Sequence, residues 1–248
     1  MNTTLPPNPN LSFTLGIETA SSLCSVALLA PDGTVLERSA QTDRRHAEIL
    51  PGLLDDLFTP ANVTWKQVGM IAVSIGPGSF TGLRVGLSFA KGIATGLGIP
   101  VVPVGTLLAL ATHYVETTPR SSSSANNPSR FCPLVPARKV ESFGQIYERC
   151  VNSFIAIEEP LLVSRENADE LLSAGVVLFG EGGRLLGLTP ETDVGYIGEV
   201  SASAGVIARI GREIWLSDSS AIRPAATLEP MYLKEFTVTV KKKDVPHR

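Results

Sequence analysis

Two short stretches bring together residue types that could do phosphate chemistry. One is Glu18-Thr19-Ala20-Ser21-Ser22, an acid beside small hydroxyls; the other is Gly76-Pro77-Gly78-Ser79, which opens a long apolar run. A glycine turn leading into a helix offers backbone N–H groups to an anion, and an acidic hairpin beside it can hold the magnesium of a nucleotide. The turn lacks the Lys-Ser/Thr ending of a P-loop, and no Gly-x-Gly-x-x-Gly occurs there. The expectation is therefore a weak nucleotide contact through Glu18, Thr19, Gly78 and Ser79, with no catalytic residue among them. A nucleophile elbow needs glycines two residues either side of its serine, and Ser79 has Pro77 and Thr81 in those places. Ser79 reads instead as a helix N-cap. No metal site is expected either: His46, His113 and His247 are far apart, and Cys24, Cys132 and Cys150 show no Cys-x-x-Cys spacing.

The helix after the glycine turn carries a small residue at every fourth place: Gly78, Gly82, Gly86, Ala90, Ala94 and Gly98. This ridge runs several turns beyond anything a phosphate could use, and small residues at that spacing let another element approach closely. Its partner is either a helix of the same lobe or a second protein. Arg84, the one charge between Met70 and Ala90, stands beside the ridge and could meet a carboxylate there, or simply face solvent.

The elements that must position these residues follow from periodicity. Residues 12–18, 24–29 and 34–41 read as an antiparallel meander, with Pro31-Asp32-Gly33 as a turn. Asp43 can cap a helix bearing Ile49, Leu50, Leu53, Leu54 and Leu57, which Pro51 should bend or delay. Residues 70–75 form a strand into the glycine turn, and 101–104 another. The uncharged run 92–112 is broken by Gly96, Gly98, Pro100, Pro103 and Gly105, so it reads as a buried crossover and not a membrane span. Residues 131–135, 144–151 and 154–157 look like a second meander, followed by a helix at 166–173, a buried run at 176–179 and a closing helix at 201–215. The expected domains are a leader at 1–10, a first lobe at 11–113, a polar linker at 114–130, a smaller second lobe at 131–236 and a basic tail at 237–248.

Composition agrees with a folded α/β chain. The 248 residues are 44% hydrophobic and 18% charged, with a net charge of −3, which argues against a general nucleic-acid surface. The odd, scattered cysteines and the uncharged leader without an apolar core fit a cytoplasmic protein.

Four segments then carry a family resemblance: IETASSLCSVALL, HAEILPGLLDDLF, the run SIGPGSFTGLRVGLSFAKGIATGLGIPVVPVGTLLALA, and LEPMYLKEF. Together they closely resemble the TsaB family, formerly called YeaZ. The resemblance implies the ASKHA fold of actin, sugar kinases and Hsp70, with two related lobes of mixed sheets flanked by helices. It also implies a non-catalytic role in making threonylcarbamoyladenosine in tRNA. The expected partners are the related enzyme TsaD, the ATPase TsaE and, for the chain alone, a second copy of itself; tRNA is met only through the complex. Such proteins pair through the two helices named above, so the resemblance assigns His46, Ile49, Leu53, Phe80, Gly82, Arg84 and Gly86 to a partner interface, with ATP or ADP expected there and no cofactor of the chain's own. The catalytic relatives bind a metal through two histidines four apart on the first of these helices; here His46 holds the first place and Leu50 the second. Glu18 stands where the family usually has aspartate, and Pro136-Ala137-Arg138 where Asp-Ala-Arg is common. The alternative is a small ASKHA enzyme, either an ATP-dependent transferase or a glycoprotease-like peptidase.

Overall fold

The computed structural model describes residues 12–42, 45–118, 130–150, 153–218 and 225–231. The first lobe begins with β1 (Phe13–Glu18), β2 (Leu23–Leu29) and β3 (Val35–Gln41), an antiparallel meander. Its second turn works as its residues demand: Gly33 adopts φ +90°, and Asp32 accepts the Thr34 N–H at 2.9 Å. Two crossovers follow. Helix α1 (His46–Ala61) leads to β4 (Val68–Gly76), parallel to β1, and α2 (Phe80–Leu97) leads to β5 (Val101–Gly105), parallel to β4. The strand order is β3-β2-β1-β4-β5. Helix α3 (Thr106–Thr117) then crosses to the second lobe.

There, β6 (Arg130–Pro136) is the long strand, flanked by β7 (Ser142–Gly144) and β8 (Tyr147–Arg149). β9 (Phe154–Ala156) and β10 (Leu161–Val163) extend the sheet. After α4 (Arg165–Ser173), β11 (Val177–Phe179) returns parallel to β6. The short α5 (Gly182–Leu185) and the long α6 (Ala204–Ser217) complete the order. An antiparallel meander followed by parallel strands on the far side of the first, built twice, is the ASKHA arrangement.

The first sheet is covered on both faces over β1, β2, β4 and β5, so those strands are nearly continuous in apolar residues, while the edge strand β3 is largely exposed and polar. Leu50, Leu54 and Leu57 of α1 pack with Ile17, Val26 and Val73 on one face. On the other, Met70, Ala72, Val102 and Val104 meet α3 and α6, and this core runs on into Phe131 and Phe179 of the second lobe. Tyr114 stacks on Phe179 at 4.6 Å between ring centres.

Two expectations shift here. Helix α6, expected to close the second lobe, lies across β1, β2 and β4 of the first. Arg212 staples it in place, donating to the Leu29 and Ala30 carbonyls at 2.6 and 2.7 Å and to Thr14 and Ser12. Residues 114–117, expected in a polar linker, are the last turn of α3, held by the burial of Tyr114. The strand expected over 144–151 is instead the last residue of β7 and the whole of the three-residue β8. The uncharged run 92–112 does divide into the end of α2, β5 and the start of α3, and among the described residues no helix is long and apolar enough to cross a membrane. Pro51 sits exposed in α1 without ending it. Asp43, the leader, most of the linker and the basic tail lie outside the described residues.

Candidate functional site

The β1–β2 turn, residues 19–22, is the point on which α1, α2 and the second lobe converge. Helix α2 holds it from one side. Ser79 caps this helix as expected, its hydroxyl accepting the Gly82 N–H at 3.2 Å, while its own N–H goes to the Ala20 carbonyl at 2.7 Å. Thr19 donates its hydroxyl to the Gly82 carbonyl at 2.9 Å. This closeness requires glycine: a Cβ at Gly82 would overlap the Thr19 carbonyl oxygen, and one at Gly86 the Thr19 hydroxyl. Helix α1 supplies His46, 3% exposed, whose Nε2 donates to the Ser21 carbonyl at 3.0 Å and whose Nδ1 is buried without a partner. The second lobe supplies Glu181, which accepts from the Ser22 hydroxyl (2.8 Å), the Ser22 N–H (3.2 Å) and the Ser201 hydroxyl (3.0 Å).

Glu18 lies beneath the turn, fully buried. Its Oε1 accepts the Ala20 N–H; its Oε2 has no hydrogen-bond partner, and neither does the Ser74 hydroxyl near it on β4. Burial pushes this carboxyl up to about 7, and the charges of Glu181 and Glu37 add to the shift against the Ala20 N–H, which eases it. Glu37, on β3, caps α6 by accepting the Ala204 and Gly205 N–H groups. Chemically the site can hold a proton on Glu18 and fix the turn. Among the described residues, no three His, Cys, Asp or Glu groups are placed to hold an ion. At the start of α2, the amides that would face a phosphate at Ser79 and Gly82 are already taken by Ala20 and by the Ser79 hydroxyl.

The expected partner-interface residues therefore divide. Gly82 and Gly86 are buried against Thr19, His46 against the turn, and Leu53 (8% exposed) in the core under α1; Ile49 is half-buried. Assigning these four buried residues to an external surface is corrected: the ridge faces the chain's own hairpin and sheet. Phe80, 39% exposed, and Arg84 are outside, the guanidinium lying 3.9 Å from the Phe80 ring centre.

The faces that α1 and α2 do show to solvent carry opposite charge. The outer face of α1 is acidic, with Glu48, Asp55 and Asp56 and no lysine or arginine in the helix. That of α2 is basic, with Arg84 and Lys91 and no acid. A cavity of about 360 Å³ lies between Arg84, Ser88 and Lys91 and the returning segment at Leu228, Glu229 and Pro230. Charge on successive outward positions of α1 and α2 was the available signal. For Glu37 and Glu181 no local signal exists, since each acts on residues more than 150 positions away.

The family model described as "TsaD: tRNA N6-adenosine threonylcarbamoyltransferase" matches residues 34–170. The tRNA threonylcarbamoyladenosine biosynthesis protein TsaB of Escherichia coli is 32% identical over 145 residues, covering 58% of this chain and 59% of that protein. Its Haemophilus influenzae counterpart is 31% identical over 140 residues, covering 54% and 58%. The chain thus spans under two thirds of the length of these curated relatives. A tRNA N6-adenosine threonylcarbamoyltransferase of Thermosipho africanus is 36% identical over 110 residues, 38% of this chain and 33% of the enzyme. The structure of YeaZ from Pseudomonas aeruginosa superposes with a TM-score of 0.72 at 24% identity, over 90% of this chain and all of that one, so the fold is shared. The chain belongs to the tRNA N6-adenosine threonylcarbamoyltransferase family, within its TsaB (YeaZ) group.

Proposed function

We propose that this chain is a non-catalytic subunit of the machinery that makes threonylcarbamoyladenosine in tRNA, pairing in the cytoplasm with a TsaD-like enzyme. The observation that carries this reading is the fate of His46. In the catalytic relatives the resemblance pairs it with a second histidine; here Leu50 fills that place, fully buried, and Nε2 is spent on Ser21. The relatives called TsaB bear names of biosynthesis proteins, which supports the process.

The pairing surface in this proposal is the charged outer face of α1 and α2, with Phe80 and Arg84 at its centre, and not the buried ridge. An acidic strip beside a basic one also suits a second copy turned by a two-fold, α1 against α2, as the resting state of the chain alone. A TsaE-like ATPase, and ATP or ADP held between subunits, complete the assembly, and tRNA is met only within it. Arg84→Glu should lower the melting temperature by a few degrees at most, through the lost stacking on Phe80, and weaken binding to a TsaD-like partner by about tenfold or more, measured by titration calorimetry. Undiminished binding removes this surface from the proposal.

The enzyme reading draws on Glu18, a buried acid near neutrality of the kind catalysts use. It predicts ATP or peptide hydrolysis by the purified chain that vanishes in Glu18→Ala or Ser79→Ala; absence of turnover in the wild type disposes of it.

A further inference from the structure

The seam between the lobes is lined with acids. Gly16 and Glu18 share one face of β1, being two apart, and the bare Gly16 lets the Ala204 carbonyl of α6 press against the strand. Glu18 is therefore enclosed where α6, β4 and the second lobe meet. The groups facing it are Glu181 at the start of α5, Glu37 on β3, the Ser25 hydroxyl opposite it on β2 and the Ser74 hydroxyl on β4, while the Cys24 thiol lies on the other face of β2. Burial, and then the charge of Glu18, push the Cys24 thiol up to about 11, so it stays neutral. From α6, the Ala204 and Gly205 N–H groups point this way but are taken by Ser25 and Glu37. From α1, His46 reaches the same turn and binds Ser21. None of the groups acting on the Glu18 carboxyl is a cation, and Oε2 has no donor. Such an enclosure tolerates the neutral acid and resists the carboxylate.

We propose that the seam is a proton-controlled latch: with Glu18 neutral, Glu181 of the second lobe closes on Ser22, and ionisation of Glu18 releases that closure. The lever is short. Glu18 and Ser22 end the same turn, and the carboxylate of Glu181, which holds Ser22 by both N–H and hydroxyl, is one of the charges that opposes a charge on Glu18. Ionised Glu18 gains water only if the turn, the start of α6 or Glu181 moves away. The direction of the Glu18 shift agrees, since a carboxyl buried closed and hydrated open binds its proton more tightly when closed. The latch does not depend on the assembly role proposed above and needs no partner to operate.

The test is amide hydrogen exchange of the whole chain followed by mass spectrometry from pH 5 to 8.5, corrected for the intrinsic pH dependence of exchange. In the wild type, opening of peptides covering residues 19–25 and 203–208 should rise about tenfold per pH unit between pH 5 and 7, then level off. Peptides of α4 should stay level. Glu18→Gln should hold both regions as closed at pH 8 as the wild type is at pH 5. Glu181→Gln keeps an oxygen for Ser22 but removes a charge, so its profile should level off at lower pH. A flat wild-type profile overturns the latch even if neither variant folds. So does a Glu18→Gln profile that still follows pH, or a rise shared equally by α4.

Discussion

The two lobes share a plan and differ in how they are held. In the first, strands of five to nine residues are covered on both faces by helices of 12 to 18 residues. In the second, every strand after β6 has three residues, and loops do much of the stitching. Asp193 is the main stitch: its carboxylate accepts the Thr189 N–H at 2.8 Å and the Thr192 hydroxyl at 2.9 Å, and pairs with Arg165. Ser142 adds another, donating to the Gly182 carbonyl at 2.7 Å. The difference teaches where precision is invested. The regular lobe places one turn against two helices to within van der Waals contact, and the looser lobe delivers to that turn a single carboxylate, Glu181.

If that contrast is right, damage at the turn exceeds damage to a loop. Gly82→Leu forces a side chain into the Thr19 carbonyl, a backbone atom that cannot swing aside. It should lower stability by about 3 kcal/mol or more, the upper range for overpacking, seen in urea unfolding. A variant as stable as the wild type would place the ridge outside the chain after all.

Glu18→Gln acts at the same turn in the opposite direction. The folded carboxyl titrates near 7 and the unfolded one near 4.5, so its contribution favours folding most at low pH, declines between those values and is level above 7. The Gln variant lacks this decline. Relative to its own value at pH 4, its stability at pH 8 should exceed that of the wild type by on the order of 3 kcal/mol at most. Equal pH dependence in the two proteins would mean that Glu18 is hydrated in the folded state.

Asp193→Ala takes the acceptor from the Thr189 amide and the Thr192 hydroxyl, while Arg165 keeps Asp169 and the Gly187 carbonyl, and it should cost about 1 to 2 kcal/mol, mostly within the second lobe. Hydrogen exchange should show α4 and residues 189–196 loosening while β1 to β5 keep their protection; equal loosening would make the two lobes one cooperative unit. The smallest effect belongs to the far end of α2. Gly96 is exposed, with nothing near its absent Cβ, so Gly96→Ala should stabilise by about 0.5 to 1 kcal/mol through helix propensity alone. A loss there would reveal a contact on that face.

Legibility follows the same division. The meander, its Pro31-Asp32-Gly33 turn and the Ser79 cap were readable because each depends on residues within a few positions of itself. The destination of the ridge was not. Glycines four apart serve an inward turn and an outward helix equally well, and the residue that decides, Thr19, lies 63 positions from Gly82. Glu181 and Glu37 were invisible for the same reason, as single acids in loops or strands of ordinary composition. Strands of three residues carry too little alternation to be bounded, which is why periodicity gives one strand over 144–151 where the second lobe has the end of β7 and a short β8.

The Arg212 staple sets an order of events on the ribosome. The carbonyls it binds, at residues 12, 29 and 30, leave the exit tunnel roughly 180 to 200 residues before it does. Until α6 is translated, the nascent first sheet presents Met70, Ala72, Val102 and Val104 with one of their covering helices missing. The amino-terminal lobe is thus made first but finished late, and the growing chain carries an unsatisfied apolar face while everything between Gly105 and Ala204 is made, a natural station for a chaperone.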